Sequence, residues 1–175
     1  MSSHADLLRF RCARPGFQHD READAWPVVY DMVQQLQQGE RTEYTTVRSS
    51  WDRRLVAEAE DGEDAPTRHL RQTMAQSPIR GRYTITVPAG PKRIARQALM
   101  AIRACRVTLD LRDKKTSRRY EAPVWAVCSQ EQGPTPGGEK PLSWLLLTTY
   151  PVASFEGACR VVYGYTQRWR IEELD

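Results

Sequence analysis

Tyr165, Arg168 and Glu172 stand three and four residues apart in the stretch Tyr165-Thr-Gln-Arg168-Trp-Arg170-Ile-Glu172-Glu173-Leu-Asp175. On a helix, positions i, i+3 and i+7 share one face. Such a face offers a phenol and a guanidinium, both able to hold a phosphate, one turn from a carboxylate able to hold a divalent metal. That set suits phosphodiester chemistry. The plain alternative for Arg168 and Glu172 is an i,i+4 surface pair contributing about 0.2–0.5 kcal/mol. Arg170 and Glu173 project elsewhere on the same helix and read as solvated charge.

A second constellation lies near the other end, His19-Asp20-Arg21-Glu22-Ala23-Asp24. A carboxylate at a strand-to-helix junction is well placed to bind a metal, because the strand end fixes its direction. Glu22 and Asp24 have a simpler use as complements to the positive end of the helix that follows.

The elements that must position these groups follow from periodicity. Trp26, Val29, Met32, Val33 and Leu36 predict a helix from Asp24, with Pro27 tolerated in its first turn and Gly39 at its stop. Thr42 to Arg48 is short and β-branched, a strand. Residues 57–66 form an acidic loop, and a short helix is expected around Thr67 to Gln76. Tyr83 to Val87 alternates as a strand. Leu99 to Cys105 is ambiguous by period and is read as a strand followed by a turn. Val107, Leu109 and Leu111 then mark a further strand, with Tyr120 to Val127 as its neighbour. Gln132 to Lys140 carries two prolines and three glycines and is a loop. Trp144 to Thr149 is a continuous apolar strand of the buried kind. Ser154 is placed to cap a last helix, with Glu156 in its first turn. Phe155, Ala158, Cys159, Val162 and Trp169 supply that helix's apolar stripe. The fold class expected is α/β.

Composition sets the outer bounds. A chain of 175 residues, 27% charged and 40% hydrophobic, has the balance of a folded domain with a core. The net charge of +4 and pI near 9.0 suit a polyanion partner without requiring one. No apolar run approaches the roughly 20 residues of a membrane span, so no membrane partner and a cytoplasmic location are expected. Cys12, Cys105, Cys128 and Cys159 show no paired spacing and read as reduced thiols.

The C-terminal pattern closely resembles the Tyr-x2-Arg-x3-Glu-x6-Lys motif of bacterial DDE transposases, the IS-four family that includes the Tn-five-like enzymes. Asp20-Arg-Glu-Ala-Asp24 resembles the segment carrying that family's second catalytic aspartate. Thr46-Val47-Arg48-Ser49 resembles the strand that ends on a DNA-contacting arginine. Pro141-Leu-Ser-Trp144-Leu-Leu-Leu-Thr-Thr-Tyr-Pro-Val152 resembles the strand before the catalytic helix. The matches run in the right order from Asp20 to Asp175, and the distance from Trp144 to Tyr165 agrees without a gap.

The resemblance implies an RNase H-like catalytic domain over residues 20–175, after an atypical lead-in over 1–19. A β-rich insertion would occupy about 49–140. It implies cut-and-paste DNA transposition by metal-dependent phosphodiester hydrolysis and strand transfer. Asp20 and Glu172 would be catalytic and would hold Mg2+ or Mn2+ in a two-metal site. Arg48, Trp144, Tyr165 and Arg168 would contact DNA, Trp144 by stacking on a flipped base. Read without the resemblance, Trp144 is a core aromatic at a strand start. The partner implied is double-stranded DNA at transposon ends. The family is homodimeric, and its C-terminal dimerisation segment is expected to be missing here.

The sequence also departs from the family's pattern. The first catalytic aspartate has no counterpart strand upstream of Asp20, where Pro15 and Gly16 interrupt the expected apolar run. The motif's lysine would fall four residues past Asp175. An inactive truncated remnant is therefore expected, with an incomplete metal site, marginal folding, and Trp144 to Thr149 left as an exposed apolar edge. The alternative is a non-catalytic DNA-binding module derived from a transposase.

Overall fold

A computed structural model describes residues 10–11, 44–49, 52–56, 68–90, 93–112 and 116–172, apart from the side chains of 10–11, 44–45 and 167–172. These residues make a mostly-β molecule: a five-stranded antiparallel sheet with two helices, not the mixed sheet of an RNase H-like domain. Its strands are β2 (Tyr44–Arg48), β3 (Ile79–Val87), β4 (Arg96–Arg112), β5 (Arg119–Glu131) and β6 (Ser143–Thr148). A two-residue strand, β1 (Phe10–Arg11), adds one short parallel pairing to β2, giving the order β1-β2-β6-β5-β4-β3. Helix α1 spans Leu70–Gln76 and α2 spans Phe155–Glu172. The helix expected from Asp24 and the acidic loop at 57–66 lie outside the described residues.

The hairpin of β4 and β5 is the long axis of the sheet. Thirteen consecutive pairs run without a slip from Met100–Glu131 to Arg112–Arg119. The expected turn after Cys105 is absent. What changes there is the face that is covered. Met100, Ile102 and Ala104 are buried on the side of α2, whereas Val107, Leu109 and Leu111 are buried on the side of α1. Strand β5 switches in step, with Ala122, Val124 and Ala126 toward α1 and Val127 toward α2. Side chains alternate with period two, so a change of covered face shifts the buried positions from even to odd without any break in the backbone. That phase change made one strand read as two.

The outer edge of β4 is covered piecewise. Strand β3 pairs along Arg96 to Arg103, and the segment around Leu55 takes over through bonds from Val56 N to Thr108 O and from Asp110 N to Arg54 O. In the gap between them the Arg80 Nε donates to Ala104 O at 2.9 Å, a side chain standing where a strand partner would be.

Strand β6 is interior. It pairs antiparallel with β2 on one edge and β5 on the other, and Leu145, Leu146, Leu147 and Thr148 are all buried. The continuous apolar run is therefore explained, but the expected exposed edge is corrected: β2 and β5 occupy both its sides. The Gln132–Lys140 stretch is a loop, with a short turn of 3-10 helix at Pro136–Gly138 and all three glycines at positive φ. Ser154 caps α2 as expected, its Oγ accepting the Gly157 N–H at 3.1 Å.

Where α2 meets the sheet, glycine is required. A bulge between Ile79 and Gly81 turns the start of β3, and the Phe155 ring lies directly on Gly81. A Cβ there would stand 2.9 Å from Phe155 Cγ and nearer still to Cδ2 and Cε2. We expect Gly81→Ala to destabilise the fold by about 1–3 kcal/mol in urea denaturation. Most of that cost should vanish in a Phe155→Ala background, because the two positions share one contact. Equal costs in both backgrounds would contradict the packing described.

Candidate nucleic-acid interface

The pairing of β2 with β6 decides what stands beside Arg48. Arg48 lies opposite Leu146, and Ser49 N donates to Leu145 O at 2.7 Å. Residues directly opposite in an antiparallel pair point to the same side, and their diagonal neighbours lie about 7–8 Å away. Leu146 packs under α2, so Arg48 is on the α2 side of the sheet, diagonal to Trp144. Its neighbours Val47 and Ser49 point the other way, and Val47 packs into the α1 cluster. Arg48 is exposed and Trp144 half-buried.

Below Arg48, Thr46 and Thr148 share a hydroxyl–hydroxyl hydrogen bond of 2.8 Å in the buried interior. Thr148 Oγ1 also accepts the Tyr150 N–H at 3.1 Å, which turns the chain out of β6 toward α2. These bonds satisfy polar groups whose burial would otherwise be costly.

Trp144 belongs to the wall of a groove of about 1060 Å3. The groove lies between β3, the entry to β6 and the first three turns of α2. Tyr83, Ile85, Phe155 and Val162 make it largely apolar, with Arg82 and Arg93 at the rim. Tyr163, also at the rim, is 63% exposed. The Tyr83 hydroxyl bonds the buried Ser129 hydroxyl at 2.6 Å, and burial raises its pKa. Burial, reinforced by Glu156, likewise raises the Cys159 thiol on the groove wall.

Sequence reasoning missed the groove because its walls come from residues about 80 positions apart that only the sheet order brings together. It also missed what fixes the entry to β6. Arg96 donates to both oxygens of Glu131, at 2.8 and 3.0 Å, and to Glu139 at 2.6 Å. Their side chains are 9, 4 and 14% exposed. Glu131 accepts the Leu142 N–H as well, two residues before Trp144.

Tyr165 is 6% exposed and packs with Ala158, Val161 and Val162 against the sheet. These four positions follow the helical period, so Tyr165 lies in the buried stripe. The spacing read for phosphate contact serves packing equally well. The backbone of α2 continues through Arg168 and Glu172, but their side chains, like Asp20, lie outside the described residues. Among the described residues no three His, Cys, Asp or Glu side chains converge on one point, and the two expected metal ligands are not among the side chains described. No helix among the described residues is long and apolar enough to cross a membrane. No protein-family model matches the sequence.

The cluster around Arg96 carries a pH dependence. Hydrogen bonds from Arg96 above all hold the Glu131 pKa below the ordinary glutamate range, and the Ile94 N–H, followed by Arg96, does so for Glu139. A carboxylate with a depressed folded pKa contributes stability that is present above its unfolded pKa and lost as pH falls through the folded one. Melting temperature should therefore fall as pH drops below the ordinary glutamate range. Arg96→Met should melt lower than the parent at pH 7, with the gap narrowing under acid as the stranded carboxylates take up protons. A gap constant from pH 7 to pH 3 would rule this cluster out as the source.

Proposed function

We propose that the chain is part of a DDE-type transposase catalytic core that contacts DNA on the α2 side of its sheet. The observation that carries this reading is the β2–β6 register. It sets an exposed arginine at the end of one strand diagonal to the tryptophan at the start of the next, on the face that α2 covers. Arg48 would hold a backbone phosphate by charge and fork geometry. Trp144 would offer its indole to an unstacked base along the groove. Arg168 would add a second phosphate contact, while the packed ring of Tyr165 anchors the helix that presents it. In this reading Asp20 and Glu172 hold Mg2+ or Mn2+, which would activate the attacking oxygen and stabilise the leaving one. That metal chemistry rests on the sequence resemblance alone. The parallel pairing of Phe10–Arg11 with Tyr44–Thr45 is compatible with it. Parallel neighbours need a crossover of a dozen or more residues, and the crossover here includes Asp20.

Two of the family's three carboxylates have counterparts in the 175 residues, so DNA binding without cleavage is the expected behaviour of the isolated chain. Fluorescence anisotropy with duplex DNA should show affinity falling steeply with salt. Arg48→Gln should lower the salt slope by about one phosphate contact. Trp144→Ala should weaken binding to DNA bearing an unpaired base by about 1–3 kcal/mol, and to intact duplex by less. Salt-sensitive binding without metal, with no cutting when Mg2+ is added, would leave a DNA-binding module as the working activity. Mg2+-dependent cleavage would show that the metal site is complete within the chain. No DNA binding at low salt would refute the proposal.

A further inference from the structure

Among the described residues, the outer edge of β4 has a short gap. Strand β3 pairs with it as far as Arg103, and the segment around Leu55 joins it only at Thr108 and Asp110. In an antiparallel strand alternate residues direct both their N–H and their C=O to the same edge. Thr108 O and Asp110 N face the outer edge, where Val56 N and Arg54 O meet them, and Ala104 O faces it to meet the Arg80 Nε. The ladder with β5 runs through this stretch without a slip, so Arg106 presents its own N–H and C=O to the gap. Among the described residues no group is bonded to either, and the exposed Arg106 side chain has no carboxylate partner. A pocket of about 360 Å3 lies here. Leu55 and Val107 give it a buried apolar wall, Thr73 of α1 and Thr108 of β4 bring hydroxyls, and Arg68 and Arg106 bring guanidinium groups. No acidic side chain is among the described residues that line it.

We propose that this pocket binds a phosphate-type oxyanion that carries a hydroxyl, of which hydrogen phosphate is the simplest. The guanidinium groups, the threonine hydroxyls and the edge N–H of Arg106 are all donors to such an ion, and the arginine fork matches its oxygens. The apolar wall lowers the local dielectric and so strengthens the attraction. The Arg106 C=O decides between oxyanions. A fully ionised anion such as sulfate has only acceptors to set beside it, whereas the P–OH of hydrogen phosphate donates to it. A phosphodiester shares the charged oxygens but lacks that proton, so a nucleic-acid backbone would leave the carbonyl unmet. The pocket has no lining residue in common with the groove beside Trp144. The inference therefore stands apart from the DNA contacts proposed above and does not depend on the chain's being a transposase.

Melting the full chain in potassium phosphate, against potassium sulfate and chloride at matched ionic strength and pH 7, tests it. Phosphate should raise the melting temperature with a concentration dependence that follows occupancy of one site, and sulfate should do so less. Arg106→Gln, which removes the charge and the fork, should weaken phosphate binding about tenfold. If that substitution also lowers the melting temperature without phosphate, broadening of the 31P resonance of inorganic phosphate by each protein reads binding apart from stability. A phosphate response no larger than that of sulfate overturns the proposal, as does one that Arg106→Gln leaves unchanged. A short DNA duplex should not displace the phosphate. Displacement, with a salt slope for DNA that Arg106→Gln lowers by about one, would assign the pocket to a phosphodiester and overturn the proposal in favour of a backbone contact.

Discussion

The complete enclosure of β6 is the constraint on which the rest of the molecule hangs. Its four central residues are buried, its two edges are paired, and its two faces are covered by different helices. A strand in that position cannot slip by one residue without exchanging Leu145 and Leu147 for Leu146 and Thr148 on each face. Because it cannot slip, Arg48 on one neighbour and Trp144 on β6 itself are held in fixed relation. The one polar side chain at its centre, Thr148, is tolerated because Thr46 and the Tyr150 amide satisfy it.

The entry to that strand is held by charge as well as by the apolar packing of Leu142 and Trp144 on Val87, Ala98 and Met100. Pro141 and the three glycines of the preceding loop supply no core. One guanidinium shared between two carboxylates, plus the backbone of Leu142, fixes where the loop ends and the strand begins. Burial of that arrangement is acceptable because each charged group has partners, although one arginine between two glutamates leaves a local excess of negative charge. The basic rim of the groove, Arg82 and Arg93, lies on the same side of the sheet order as this cluster, at the β3 end.

Much of the fold could be read from residue order, and what could not has physical reasons. Tyr83 to Val87, Tyr120 to Val127 and Trp144 to Thr149 were legible as strands because alternation or an unbroken apolar run is a local signal. The Ser154 cap was legible because capping is decided within one helical turn. Strand β4 was misdivided because its buried positions change parity where the covering helix changes side, and no local pattern encodes which side a helix occupies. The spacing of Tyr165 from Ala158, Val161 and Val162 places its ring among buried neighbours, a use of the same period that sequence alone does not separate from phosphate contact. Arg96, Glu131 and Glu139 meet across a hairpin and a loop, and the groove gathers residues from β3 and α2. Those constellations exist only after the strands are ordered.

The change of covered face along β4 and β5 has a further consequence. The α1 cluster, from Leu55 to Leu147, and the α2 cluster, from Ile102 to Tyr165, touch opposite surfaces of the same sheet and share no side chain. Volume changes in a core spread through interdigitated side chains, and here that route is interrupted by a layer of backbone. The sheet works as an insulator between two half-cores displaced along its length. Under mutational drift, each half is free to repack on its own terms, and the α2 side of the molecule is screened from whatever befalls α1 on the other face.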